Sequence, residues 1–280
     1  MNKTLAIFEL MRLDKPIGIY LLLWPALLAL VISSNGNFEY VDLIIVIIGS
    51  ILVRSAGCVI NDIWDKDLDG GVERTKTRPI PSKKLSISES WVVFAVLSIL
   101  SLMLLSLTNA NTILISICFG LMIVVYPLTK RFFIGPQIFL GLTFNPTIIV
   151  YAMTNELNNP TMIFLYLAIA AKTIAFDSFY GLCDIEDDKK LGINSTPLWW
   201  GSKTLLIIAI LQFAVISFLL IVGLKAELSS AWYIGIILLV GFYFYQHRLA
   251  SQKNFLLAFK NNHWASLYLL ILSVFCFLII

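Results

Sequence analysis

Apolar and polar positions alternate along this chain in long blocks, not in helical or strand periods. Apolar runs cover residues near 17–34, 41–60, 88–107, 112–126, 137–154, 160–180, 203–223, 229–247 and 263–280. Runs of this length without a polar stripe belong to helices surrounded by hydrocarbon. The fourth run is the shortest, and leaving it out would give eight spans instead of nine. Pro16 suits the first turn of the first span, while Pro25 and Pro146 predict kinks. Trp91, Trp232 and Trp264 fall near run ends, where interfacial aromatics belong. Residues 4–14 keep enough apolar spacing for a short interfacial helix ahead of the first span.

Composition agrees with the pattern. The chain is 59% hydrophobic and only 13% charged, with mean hydropathy +0.88, which excludes a soluble globular domain. A net charge of +3 gives no reason to expect nucleic acid as a partner. The first apolar run continues into a full span without a small-residue cleavage site, so no removable leader is expected. Cys58, Cys118, Cys183 and Cys276 are scattered and read as packing residues. His247 and His263 lie too far apart in sequence to suggest a histidine metal site.

Charge adds orientation. With nine spans and a cytoplasmic N-terminus, seventeen of the 20 basic residues fall on the cytoplasmic side. Only Lys225 falls opposite, and Arg54 and Lys172 lie inside spans two and six. This is a strong positive-inside asymmetry, and dropping a span would scramble it. The expected architecture is an all-α polytopic membrane protein, one membrane domain over 1–280, with Asp-rich cytoplasmic loops near 61–87 and 181–202.

The acids gather on that same face, which topology does not explain, because Asp and Glu contribute little to it. Asp62, Asp65, Asp67 and Asp69 follow span two. Asp184, Glu186, Asp187 and Asp188 follow span six, with Asp177 just inside it. Asp65 and Asp69 are four apart, and so are Asp184 and Asp188, a spacing that puts both carboxylates of a pair on one helical face. A solvated turn accounts for a single such pair. Two matched copies among basic residues point instead to a site in which cations relieve mutual repulsion. Oxygen-only ligands select hard ions, and Mg²⁺ takes a few carboxylates and completes its shell with phosphate oxygens. Asp67 fits neither pair and reads as a solvated bystander, while Asp62 points elsewhere on its turn.

The interleaved bases suit a phosphate. Arg74 and Arg78 offer guanidinium forks within the first loop, and Lys130 and Arg131 add two cations between spans four and five. Arg54 lies two helical turns before Asn61 on the same face, either lining a cavity below the acids or held in a structural salt bridge. Lys172 is expected to snorkel to the cytoplasmic interface. A diphosphate–Mg²⁺ site at the mouth of a hydrophobic bundle suggests an isoprenoid diphosphate. Ionisation of its C–O bond would yield an allylic cation, trapped by an acceptor in a dry cavity.

The stretches Asn61-Asp-x-x-Asp65-x-x-x-Asp69, Arg74-Thr-x-x-Arg78-Pro and Asp177-x-x-Tyr180-x-x-x-Asp184-x-x-x-Asp188 resemble the aspartate-rich motifs of the UbiA superfamily of intramembrane prenyltransferases. The segments from Arg12 to Gly18, Leu23 to Pro25, Arg54 to Asp62, Tyr126 to Arg131 and Gly192 to Thr196 resemble its 4-hydroxybenzoate branch, which serves ubiquinone biosynthesis. The resemblance implies nine helices around a central cavity that opens at the cytoplasmic face of a bacterial inner membrane. It implies two Mg²⁺ ions between the motifs and a polyprenyl diphosphate, and prenylation of 4-hydroxybenzoate ortho to its hydroxyl. Metal–diphosphate roles pass to Asn61, Asp65, Asp69, Asp184 and Asp188, and diphosphate contacts to Arg74, Arg78 and Lys130. Asp62, Asp177 and Tyr180 would serve the acceptor end; by charge alone, Arg131 or Arg54 would meet the benzoate carboxylate.

Two alternatives stand beside this reading. The same chemistry on dihydroxynaphthoate, homogentisate or haem is disfavoured by the Leu-Asp-Lys-Pro-Ile-Gly and Leu-Trp-Pro stretches. A divalent-cation or phosphate transporter would need polar groups along a whole pathway, and the outer halves of these spans have almost none. Tail length, oligomeric state and the group that takes the ring proton have no signature in the sequence.

Overall fold

The computed structural model describes residues 3–70 and 75–278. These described residues form α-helices and one 3-10 turn, with no strand. A short α1 (Lys3–Leu10) leads into α2 (Ile17–Ser33), the long α3 (Tyr40–Trp64) and the single turn α4 (Lys66–Asp69). Then come α5 (Ile87–Leu105), α6 (Ala110–Thr129), α7 (Pro136–Thr143), α8 (Thr147–Met153) and α9 (Thr161–Gly181). The chain ends with α10 (Ile185–Leu191), α11 (Thr196–Trp200), α12 (Thr204–Lys225), α13 (Ser230–Ser251) and α14 (Phe255–Leu278).

Every apolar run lies on a helix or, for the fifth, on a broken pair. Among the described residues, 6 helices are long and apolar enough to cross a membrane: α3, α5, α6, α9, α14 and the run Thr196–Lys225. The other three runs fall short for visible reasons. Helix α2 has 17 residues, Phe144–Pro146 divides the fifth run, and the last turns of α13 carry Gln246, His247 and Arg248. At the break, Pro146 lacks a backbone donor and α8 restarts from it. Asn145 repairs the ends: its amide donates to the Tyr166 carbonyl at 2.9 Å and its side-chain oxygen accepts from Thr147 N–H at 3.2 Å. Pro25, by contrast, sits inside an uninterrupted α2.

Helix α9 packs on α12 and α7, α14 on α13 and α2, and α3 on α2 and α5. In the outer pair, α5 buries only Ser90 and Leu97, and α6 only Thr112, Pro127 and Thr129, leaving most of their apolar surface for hydrocarbon. Inside the bundle, Gln212 donates to Gln246 at 2.8 Å and Gln246 to Asn261 at 3.0 Å, with His247 2.9 Å from the Gln212 oxygen. Such bonds tie α12, α13 and α14 where water offers no alternative.

Two expectations are corrected here, and a third gains detail. Trp232 is fully buried and donates to the Leu219 carbonyl at 2.9 Å; Gly223 leaves the room its indole fills, so packing overrides an interfacial place. Lys172 does not snorkel. It is 3% exposed, bonds Ser266 and lies 5.4 Å over the Phe176 ring, too deep between α9 and α14 for its stem to reach the surface. Helix α1 buries Ala6 and Leu10 against Val59, Ile63, Ile80 and Leu85, so it is docked on protein by one face, with Leu5 and Phe8 exposed.

Candidate active site

A cavity of about 1360 Å³ runs through the bundle, walled by α2, α3, α5, α6, the α7–α8 pair, α9 and α14. Helix α3 spans its change in character. Ile45 and Val46 line it at one end of the helix, Asp62 and Asp65 at the other, roughly 30 Å apart at 1.5 Å per residue. The volume exceeds that of ordinary small-molecule pockets and suits a long apolar ligand with a charged head.

The charged end gathers Asn61, Asp62, Asp65, Asp69, Arg78, Lys130, Asp184 and Asp188, with Arg54, Asp177 and Tyr180 also on the wall. Arg74 lies outside the described residues. Arg131 is set apart: it is exposed, absent from the wall, and its guanidinium donates to the Trp64 carbonyl at 2.7 Å. The turn after Lys130 points it back along α3, so its charge, unlike that of its neighbour, does not enter the cavity.

Both aspartate pairs are built alike. Asp65 closes α3 and opens α4, and the Asp69 N–H donates to the Asp65 carbonyl at 2.8 Å. Asp184 opens α10, and Asp188 N–H donates to its carbonyl, also at 2.8 Å. Helix α10 ends at Gly192 in a left-handed conformation (φ 67°) that favours glycine, and the chain turns so that Asn194 N–H reaches the Lys130 carbonyl at 3.0 Å. That bond ties the second loop to a residue of the first cluster, because Lys130 Nζ donates to Asp65 Oδ2 at 2.9 Å.

The first cluster is a dense charge network. Arg12 Nη2 donates to both oxygens of Asp62, at 2.8 and 2.7 Å. Arg78 Nη1 is shared between Asp62 Oδ1 at 3.0 Å and Asp69 Oδ2 at 2.8 Å. Asp62 therefore does not point away from the pair, as its place in the helical repeat suggests; it shares an arginine with Asp69. Burial raises the Asp69 pKa, with Arg78 pulling it down and Asp62 and Asp65 adding to the rise. For Lys130, burial opposes the charged form, but the Asp65 carboxylate and its hydrogen bond outweigh it and hold the pKa above the ordinary lysine value.

No three His, Cys, Asp or Glu side chains among the described residues stand close enough to hold a cation as they are. The donor set nevertheless fits a hard divalent ion. It consists of carboxylates, and Asp65 Oδ1 is buried without a hydrogen-bond partner among the described residues while Oδ2 takes Lys130 and Asn61. A buried carboxylate oxygen left unpaired is costly unless something positive meets it.

Deeper in the cavity, Arg54 forms no ion pair among the described residues. Its guanidinium lies 5.2 Å over the Phe144 ring beside the α7–α8 break, and its Nε is buried without a partner. Gly18 makes this possible, because a Cβ there would stand 2.6 Å from Arg54 Nε. The Tyr126 hydroxyl shares this region with Asp177, Asp65, Arg54 and Tyr180. Neither Tyr126 nor Arg12 stands out in the sequence as a site residue. Tyr126 opens the Tyr-Pro stretch that ends in Lys130, and Arg12 reads as one more topology-setting base.

Similarity to known proteins leads to the same place. The 4-hydroxybenzoate octaprenyltransferase of Pseudomonas aeruginosa (strain LESB58) is 41% identical to this chain, over 92% of this chain and 89% of that protein. The apo structure of a UbiA homolog from Aeropyrum pernix K1 shares the fold with TM-score 0.78 at 22% identity, covering 90% of this chain and 94% of that one. So does a UbiA homolog from Archaeoglobus fulgidus bound to GPP and Mg²⁺, with TM-score 0.74 at 17% identity, covering 98% and 100%. The UbiA prenyltransferase family itself matches residues 22–268, and with an apolar helical bundle, a cavity and paired aspartates already in place, the chain belongs to that family.

Proposed function

We propose that this chain transfers a polyprenyl group from polyprenyl diphosphate to the carbon ortho to the hydroxyl of 4-hydroxybenzoate, in ubiquinone biosynthesis. The observation that carries this reading is the single cavity joining a carboxylate-and-cation mouth to a long apolar chamber. The tail lies along the apolar wall and the diphosphate at the mouth, held by Arg78 and Lys130, with Arg74 shortly before Arg78 in sequence. Asp65, Asp69, Asp184 and Asp188 would hold Mg²⁺, which when bound offsets the charge on the leaving diphosphate. As the C–O bond breaks, the diphosphate leaves with the electron pair. The ring carbon of the acceptor supplies the new C–C bond and afterwards loses its proton. The apolar lining of the chamber would keep water from the allylic cation.

Arg54 would meet the carboxylate of the acceptor, since its guanidinium faces the cavity without a counter-ion among the described residues and a benzoate supplies one. Asp177 and Tyr180 shape the same end. The membrane frame completes the proposal: one membrane domain, all nine apolar runs crossing a bacterial inner membrane, and the charged mouth and N-terminus on the cytoplasmic side.

The test is an assay on isolated membranes with a panel of polyprenyl diphosphates and aromatic acceptors, with Mg²⁺ or a chelator. Chelator-sensitive prenylation of 4-hydroxybenzoate is expected; transfer only to another acceptor overturns the substrate. In the same assay, Arg54→Ala is expected to raise the KM for 4-hydroxybenzoate about tenfold or more, as for a lost charged hydrogen bond, without weakening diphosphate binding. Weaker diphosphate binding would move Arg54 to the other end of the site.

A further inference from the structure

Arg12 occupies a backbone position that disfavours it. Helix α1 ends in a hydrogen-bond pattern that closes on Leu13: Leu13 N–H donates to the Phe8 carbonyl at 3.1 Å and Arg12 N–H to the Glu9 carbonyl at 3.1 Å. In such an ending the residue at position 12 is left-handed, and glycine is the residue that adopts it freely. Arg12 has φ 59°. A side chain kept where glycine is easier invites the question of what that side chain does.

Its contacts answer. Nη1 donates back to the Glu9 carbonyl at 2.9 Å, which fixes the guanidinium against the end of α1. Nη2 meets both oxygens of Asp62. Asp62 is 1% exposed, so its charge must be met by protein. Among the described residues the other cation on it is Arg78, which Asp62 shares with Asp69. Without Arg12, a buried carboxylate would draw Arg78 wholly to itself. With Arg12, the demand of Asp62 is met from the far side and Arg78 stays divided between Asp62 and the rest of the site. Helix α1 is braced for this duty: Glu9 pairs with Lys84 at 2.9 Å and Lys3 with Glu89 at 2.5 Å.

We infer that Arg12 is a positioning residue for the diphosphate. By saturating Asp62 from the end of α1, it keeps Arg78 placed for the head group, and Asp62 is the pivot between two arginines. This gives Asp62 a part at the diphosphate end, beside the acceptor-end role that the resemblance implies for it. The inference rests on the prenyl-transfer reading, through the role given there to Arg78.

The test uses the full chain purified in detergent, with geranyl diphosphate as the binding probe and no acceptor. Arg12→Gln and Arg12→Gly are each expected to weaken geranyl diphosphate binding about tenfold or more, while in a separate transfer assay the KM for 4-hydroxybenzoate stays at the wild-type value. Arg12→Gly relieves the left-handed backbone, so it is expected to melt no lower than Arg12→Gln. Loss of binding in variants that remain folded well above the assay temperature separates positioning from mere folding. Arg12→Lys keeps one charge without the fork and is expected between wild type and Arg12→Gln. The double variant Arg12→Gln/Asp62→Asn is expected to bind no more weakly than Arg12→Gln, because Arg12 acts through Asp62. Wild-type affinity in both single variants, additive losses in the double, or a change confined to the 4-hydroxybenzoate KM overturns the inference. If the wild-type chain itself fails to bind the probe, the prenyl-transfer reading has failed instead.

Discussion

The two aspartate pairs share a backbone and differ in nearly everything around it. In each, an apolar helix ends, the first aspartate opens a short helix, and the second closes a turn onto it at 2.8 Å. Asp65 and Asp69 are buried together with Asp62, and Arg12, Arg78 and Lys130 close in on them. Asp184 and Asp188 are half-buried on α10, a helix with no buried residue, whose Lys189 and Lys190 are exposed. Spacing in sequence fixes where the carboxylates stand on a turn. Neighbours from other parts of the chain fix how much charge each must share. The first pair is held in a buried lattice of ion pairs, and the second lies half-buried at the bundle's edge.

If both pairs serve one metal–diphosphate site, losing one carboxylate from either should cost the same. Asp65→Asn and Asp184→Asn are each expected to lower Mg²⁺-dependent transfer about a hundredfold or more, with the protein still inserted. Near-normal turnover in both variants sinks the metal assignment, and a large loss in the first alone removes the second pair from it. Stability should separate the pairs where catalysis does not. Asp62→Asn breaks a buried double ion pair and is expected to cost about 3 kcal/mol, whereas Asp188→Asn should stay within about 1 kcal/mol. Denaturant unfolding in detergent reads the difference, and equal losses would erase the contrast. The smallest effect is expected at Asp67, which is exposed between the two buried members of the first pair. Asp67→Asn should leave transfer unchanged and shift stability by about 0.5 kcal/mol at most; a marked loss in either would bring it into the site.

Much of this molecule was legible from its sequence because the bilayer imposes long apolar blocks and the site repeats one spacing. The apolar runs coincide with helices, and most of the candidate residues, from Asn61 to Asp188, meet on one cavity wall. What escaped depends on contacts distant in the chain. Trp232 looks interfacial by position and is core because Gly223 makes room for it. Lys172 looks able to reach water and is enclosed between α9 and α14. Arg131 and Lys130 are adjacent and similar, yet one turn of backbone sends them to different sides of the cavity wall. Arg12 was hidden by its own plausibility, since a base ahead of a first span already has a reason to be there. Only the meeting of α1 with the end of α3, 50 residues on, assigns its charge to Asp62.

Gly18 carries one last consequence. Its missing methyl group is what lets the Arg54 guanidinium pass, 2.6 Å from where a Cβ would be. The two positions are therefore sterically coupled, although they lie on different helices. A descendant of this chain that acquires alanine at 18 must shorten or move the arginine, and one that loses the arginine is freed from the glycine. Whichever of the two is changed, the room at the other changes with it.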